Sequence, residues 1–409
     1  MNRSRGTIYN IQVLRAVAAL LVVYVHLWPL AGRLGAPAFG SAGVDIFFVI
    51  SGFIMVYTTA RSDVGPLGFA ADRICRIVPI YWLITLAAFA LAAAAPRLFN
   101  STVADPVQLA KSLLFIPFVK RSGLIQPVLF VGWTLNYEMF FYALFALGLA
   151  VRARILLATV ALAALAVAGL IWRPDNVFLR FYTDSRILEF ALGMWVAVLT
   201  GPGQAAVRWP KGLLMAVAAT SLVAAVALPV AFPHAPPLLA SGLAAAVLLW
   251  SVVRLEEAGA AMTWGWALAL GGASYTLYLT HPFVVDAAIK LFARVPGPLA
   301  AVVGVPLSLA AAAGAALLIS RWLEVPLTRA ARRIIAAPRL GPRAPAALVA
   351  LRTERLDLGR PGQEAAQHVL QHGPLLGGDV GQQQALMLAR DGADAAVQLP
   401  ARRAQPEHP

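Results

Sequence analysis

Apolar residues fill most of this chain in blocks, and the polar positions fall in short groups between the blocks or singly inside them. The blocks run from Val13 to Leu30, Gly43 to Thr59, Ile77 to Ala95, Val128 to Val151, Ile155 to Ile171, Ile187 to Leu199, Leu213 to Phe232, Pro237 to Val253, Ala267 to Phe292 and Leu299 to Ile319. Most approach the roughly 20 residues that an α-helix needs to cross a bilayer. The pattern therefore predicts an all-α fold, a polytopic membrane bundle of about ten transmembrane helices. A further patch, LLFIPFV at 113–119, is too short to cross and belongs at the interface or in a re-entrant segment.

The first block follows Arg3 and Arg5 as a signal peptide would. It is long for one, carries Arg15 and His26 and lacks a small-x-small cleavage site, so it reads as a retained span. Past about Pro338 periodicity is lost to Ala, Gly, Gln, Arg and Pro. The chain thus divides into a membrane domain at 1–335 and a disordered cytoplasmic tail at 336–409.

Ionisable side chains inside a span cost about 2.5 to 3.5 kcal/mol each at its centre, so they face a cavity or a partner. Arg15 and His26 are 11 residues apart, which returns them to nearly the same helix face. At 1.5 Å per residue they stand about 16 Å apart along the axis, the span of an interior groove crossing much of the membrane. An interhelical histidine and a snorkelling arginine would use the same residue types. In GVDIFFVISGFIM, Ser51 and Gly52 interrupt a bulky face and permit close helix approach, while Asp45 suits the helix N-terminus as a cap.

In DRICRIVPIYW, Arg73 and Arg76 share one face at i and i+3, two guanidinium forks suited to phosphate or to anchoring at a cytoplasmic membrane edge. Cys75 between them reads as a bystander thiol. GWTLNYEMFFY puts Trp133, Asn136, Tyr137 and Glu138 in a span, where Glu138 needs a partner or a proton. SRILEF offers an Arg186–Glu189 pair, and GGASYTLYLTHP aligns Ser274, Tyr278 and His281 within a stripe of about 60°, as interhelical polar glue or substrate-lining surface. RWLEVP carries Arg321 and Glu324 as a local pair, with Pro326 as a helix stop.

Composition excludes a water-soluble globule: of 409 residues 60% are hydrophobic and 13% charged, against roughly 25% charged in soluble domains. The formal charge of +14 would suggest nucleic acid in a soluble protein, but much of the arginine flanks spans or lies in the tail, and no nucleic-acid partner is expected. The single cysteine excludes an internal disulfide or a cysteine-based zinc cluster, and no metal site is expected, the tail's His368, His372 and His408 included. A cytoplasmic N-terminus puts Arg61, Arg73, Arg76, Arg152, Arg154, Arg208, Lys211, Arg254, Arg329, Arg332 and Arg333 inside. Arg97, Lys120, Arg121, Arg173, Arg180 and Arg186 fall outside, a modest positive-inside bias, and an even span count returns the C-terminus to the cytoplasm.

Taken in order, RAVAALLVVYVH, GVDIFFVISGFIM, RICRIVPIYW, GWTLNYEMFFY, SRILEFALG, GGASYTLYLTHP and RWLEVP resemble the integral membrane acyltransferase family called acyltransferase 3, in particular exopolysaccharide O-acetyltransferases of the ExoZ type. The resemblance covers residues 8 to about 330. It implies a ten-span bundle in a bacterial inner membrane, both termini cytoplasmic, that passes an acyl group, most often acetyl, from cytoplasmic acyl-coenzyme A to a hydroxyl of a carbohydrate. Carried over by position, His26 matches the family's essential histidine and Arg15 its preceding arginine. Arg73 and Arg76 match the R-x-x-R pair proposed to hold the coenzyme A phosphates, and Glu324 the acidic residue of E-x-P. Thr134 stands where the family commonly has serine, and no recognisable esterase-like domain follows the last span.

These residues outline a mechanism. A neutral imidazole at His26 accepts the proton of an alcohol attacking the thioester, Glu138 or Glu324 orients the ring, and Arg15, Tyr278 or Trp133 receives the charge on the carbonyl oxygen. Ser51, Trp133, Tyr278 and His281 are expected to line the substrate path. The expected partners are the bilayer, a carbohydrate acceptor and polysaccharide-assembly machinery. A permease or exporter of a glycan or glycolipid, with Arg, His and Glu as a relay, is the rival reading, and an inactive scaffold a third.

Overall fold

The structure is a computed structural model that describes residues 8–60, 64–98, 102–172, 174–201 and 209–336. The expected tail beyond residue 336, with His368, His372 and His408, and also Arg3, Arg5, Arg61, Arg173 and Arg208, lie outside the described residues. Among those described, the chain is helical without a named strand: α1 Tyr9–His26, α2 Trp28–Ala31, α3 Ala42–Thr59, α4 Pro66–Ala94, α5 Pro106–Leu113, α6 Trp133–Ala150, α7 Arg154–Ile171, α8 Val177–Tyr182, α9 Leu188–Leu199, α10 Lys211–Ala231, α11 Leu243–Glu257, α12 Gly265–Gly272, α13 Ser274–Phe292, α14 Leu299–Ile319 and α15 Val325–Ala336.

Every expected apolar block contains a helix, but seven helices in the described residues are both long and apolar enough to cross a membrane. They are α1, α3, α4, α7, α10, α11 with the turn that precedes it, and α14 continued into α15. Helices α6 and α13 have 18 and 19 residues but are too polar to qualify, and α9 has only 12. Several of those polar residues, Thr134, Glu138 and Tyr278 among them, line one cavity.

Four boundaries differ from the sequence pattern. The first block splits at Leu27, so His26 ends α1 rather than sitting inside a longer helix. Helix α4 starts at Pro66, well before Ile77, which brings Arg73 and Arg76 into the bundle. The ninth block breaks at Ala273 between α12 and α13. Pro326 does not stop the last helix: α14 passes through a π turn at Ser320–Glu324 directly into α15, and the proline is carried at its second position. The 113–119 patch does not cross either. It ends α5 and opens a loop closed by one antiparallel bridge, Val119 to Ile125.

Helix α3 is central, burying 72% of its apolar window, whereas α7 and α10 bury 17% and leave the rest for lipid. Its contact with α9 is backbone to backbone: a β-carbon at Gly52 would lie 2.0 Å from the Phe190 carbonyl oxygen, and one at Gly193 1.9 Å from that of Val49. Phe190 stacks between Phe48 and Phe141, with ring centroids 4.6 Å apart on each side. The start of α1 is tied to α11, because Glu256 accepts from the backbone N–H of Tyr9 at 3.1 Å and of Asn10 at 2.8 Å. That carboxylate satisfies N–H groups that the first helical turn leaves unpaired.

Candidate active site

A cavity of about 650 Å³ opens between α1, α3, α4, α6 and α13. At one end it is lined by Ile8, Thr58 and Val64, and further in by Arg15, Arg73 and Arg76. Glu138 is the acidic side chain in the lining, so three guanidinium groups face one carboxylate and the cavity suits an anion. Ser51 Oγ donates to Glu138 Oε1 at 3.1 Å, and Tyr142 OH donates to the same oxygen. Arg15 donates to Gln12 Oε1 at 3.2 Å, and the charges acting on it are those of Arg76, Glu324 and Glu138. Buried Ser274 also lines the cavity, its Oγ without a hydrogen-bond partner among the described residues.

Phe47, Thr134 and Tyr278 also line the cavity. Tyr278 OH donates to the Val131 carbonyl at 2.8 Å and accepts from Thr134 Oγ1 at 2.9 Å, which fixes the ring in the cavity wall. One turn further along α13, behind Tyr278, lies His281, ring centroids 6.0 Å apart. Its Nε2 is 3.4 Å from Nδ1 of His26. Each imidazole has Nδ1 against the carbonyl four residues earlier, His26 to Val22 at 2.7 Å and His281 to Leu277 at 3.2 Å. A carbonyl only accepts, so both Nδ1 atoms carry protons by this assignment, and Nε2 is the basic nitrogen of His26. His26 is half-buried, while His281 is fully buried.

The family model described as "Acyltransferase domain" matches residues 8–321, which includes both the cavity and the histidine pair. The chain belongs to this acyltransferase family. It is 37% identical over 313 residues to the "Exopolysaccharide production protein ExoZ" of Rhizobium meliloti (strain 1021), a match covering 73% of this chain and 93% of that protein. It is 28% identical over 315 residues to the "Putative membrane-bound transacylase BcsY" of Komagataeibacter xylinus, covering 71% of this chain and 77% of that one. No solved structure matches the chain.

In this membrane acyltransferase the residues singled out in the sequence separate into groups. Arg15, Ser51, Arg73, Arg76, Glu138 and Tyr278 line the cavity. His26 and His281 form the pair beyond it, so Arg15 and His26 do not share one open groove. Neither expected acid orients His26: Glu138 binds Ser51 and Tyr142, while Glu324 accepts from Thr276 Oγ1 at 2.5 Å and Ser320 Oγ at 2.7 Å. Glu324 therefore locks α13 to the π turn instead of pairing with Arg321, whose guanidinium lies over Trp322. Trp133 is outside the lining, with its ring under Arg186 at 5.3 Å. Asp45 is buried rather than capping α3. It accepts from Ser241 and pairs with Arg186 at 3.4 Å, taking the partner expected for Glu189.

Several contributors escaped the sequence reading. Tyr142 follows Glu138 by four residues and Gln12 precedes Arg15 by three, spacings that share a helix face and would have flagged both. Phe130, whose ring is 5.3 Å from that of His26, gave no such signal. It sits at the end of a loop fastened by buried Lys120, which donates to Thr102 Oγ1 at 2.8 Å and to the Val128 carbonyl at 3.3 Å. Burial pushes the Lys120 ammonium down to about 8. Among the described residues, no group of three His, Cys, Asp or Glu side chains lies together as metal ligands would.

Proposed function

We propose that this membrane acyltransferase moves an acetyl group from cytoplasmic acetyl-coenzyme A to a hydroxyl of a carbohydrate, an exopolysaccharide or its lipid-linked precursor. The observation that carries the reading is the arginine-lined cavity leading to one aromatic ring from a paired imidazole. Arg73 and Arg76 would take the donor phosphates, with the thioester arm extending past Arg15 and Glu138 toward Tyr278. The chain then lies in a bacterial inner membrane with both termini cytoplasmic, so that the arginine end of the cavity opens to the donor. The carbohydrate acceptor is supported by the printed name of the ExoZ relative.

In the transfer step the acceptor oxygen forms a bond to the thioester carbonyl carbon as its proton passes to Nε2 of His26. The carbon–sulfur bond breaks, and the thiolate leaves and takes that proton back from the imidazolium. His281 stands beside it, its Nδ1 proton on Leu277 and its Nε2 a second, longer contact at 3.4 Å for the proton that His26 Nδ1 gives to Val22, against the ring that the two glutamates do not reach. For donor and imidazole to meet, the Tyr278 ring must turn aside or the acyl group must pass it.

The direct test is release of free thiol from acetyl-coenzyme A by purified protein given a glycan acceptor, with acetate appearing on the glycan. Thiol release that depends on the glycan supports the reading. Glycan movement across a vesicle membrane without thiol release would instead make the protein an exporter.

A further inference from the structure

Beside the three guanidinium groups of the cavity lining stands a fourth that the lining does not include. Asp72, next to Arg73 on α4, holds Arg73 Nη2 at 2.6 Å with one carboxylate oxygen and Arg332 Nη2 at 2.8 Å with the other. Arg332 comes from α15, which packs against α4, and Leu327 on the same helix rests on the main core. The π turn at Ser320–Glu324 leads directly into α15, which carries Pro326 in its first turn.

A carboxylate bridging two arginines is the arrangement that a phosphate group reproduces with more charge and more acceptor oxygens. Arg73 is mostly buried, and its Nε has no hydrogen-bond partner among the described residues, so it retains donor capacity beyond Asp72. The Arg332 side chain is 53% exposed, and a pair this open adds little to folding stability. Stability therefore gives a weak reason for α15 to bring an arginine here. The donor gives a better one: coenzyme A carries a pyrophosphate and a ribose phosphate, more negative charge than the Arg73–Arg76 pair can neutralise.

We propose that Arg332 is a further binding residue for the donor, held ready by Asp72, and that a donor phosphate displaces the Asp72 carboxylate from between Arg73 and Arg332. This inference rests on the reading that Arg73 and Arg76 receive the coenzyme A phosphates. Helix α15 is then part of the donor site, and Asp72 competes with the donor it helps to admit.

The experiment measures KM and kcat of the full-length protein for acetyl-coenzyme A and for acetyl-pantetheine, which lacks the phosphates. With acetyl-coenzyme A, Arg332→Ala is expected to raise KM about tenfold, the loss of one charge-assisted contact, with the effect on KM rather than kcat. Asp72→Asn is expected to lower KM or leave it unchanged, because the competing charge is gone. With acetyl-pantetheine neither substitution should change KM.

If α15 is merely docked by this ion pair, both substitutions break the same contact and impair the enzyme alike with both donors, which overturns the proposal. A variant that fails to fold is bypassed by Arg332→Lys, which keeps the ion pair with Asp72 but loses the fork and should still raise KM for acetyl-coenzyme A alone. Arg333→Ala, the same charge loss one position on, serves as control, and an equal effect there reduces Arg332 to general charge. If Arg73→Ala with Arg76→Ala leaves KM for acetyl-coenzyme A unchanged, the underlying phosphate reading fails. If that pair raises KM and Arg332→Ala does not, only this inference fails.

Discussion

The two sides of Tyr278 solve different problems with different chemistry. On the cavity side, Arg15, Arg73 and Arg76 outnumber Glu138, and hydroxyls from Ser51, Tyr142 and Tyr275 fill the spaces between. On the other side, two imidazoles face each other, and their hydrogen bonds run to backbone carbonyls and to one another. The first side suits an anion by its excess of positive charge. The second suits a proton, with no carboxylate among the hydrogen-bond partners of His26 in the described residues. Losses on the histidine side should therefore appear in turnover, and losses on the arginine side in donor affinity.

The sharpest attack on that division is His26→Ala. Loss of the base should lower kcat by about 10² to 10⁴, the usual contribution of general base catalysis, with donor binding unchanged. The check pairs single-turnover thiol release with equilibrium binding of a non-hydrolysable coenzyme A thioether; retained turnover would remove His26 from the chemistry. Next in size is Arg73→Ala with Arg76→Ala, which should weaken donor binding about a hundredfold through two charge-assisted contacts and spare kcat at saturation. Donor titrations measure it, and unchanged affinity would return the pair to membrane anchoring.

Tyr278→Phe tests the boundary itself. It removes the bonds to Val131 and Thr134 but keeps the ring, and a few-fold change in kcat is expected from a looser partition. A change confined to donor KM would place Tyr278 wholly on the arginine side. The smallest effect concerns the loop that holds Phe130 against His26. Burial lowers Lys120 to about 8 in the fold from its ordinary 10.5, so between these values the unfolded chain binds the proton that the folded one has released. Stability should then rise with pH from about 8 to 10.5 and stay flat below. Lys120→Met should remove that slope in thermal unfolding of the purified protein, and a slope that persists assigns it to other groups.

The polar residues stranded in apolar blocks were legible because the bilayer makes them expensive: Arg15, Ser51, Glu138 and Tyr278 were picked from sequence and line one cavity. The close approach at Gly52 was readable for a similar reason, since a missing side chain in a bulky run has few other uses. The partners were not readable. Glu324 and Arg321 look like a local pair at i and i+3, yet the π turn aims the carboxylate at Thr276. Asp45 looks like a cap, and its partners Arg186 and Ser241 come from distant parts of the chain.

By itself, then, the sequence determined that this chain is an all-helical membrane protein, roughly which apolar blocks hold its helices, and which residue types the interior must accommodate. Periodicity and the cost of burying charge act locally, so they can be read along one dimension. Tertiary structure decided the rest: that His26 lies outside the cavity the arginines line, that His281 rather than a glutamate stands beside it, and that Asp72 holds Arg332 next to Arg73. Those facts depend on how α1, α4, α13 and α15 cross. Helix crossing is set by packing along whole faces at once, which no single spacing in the sequence records.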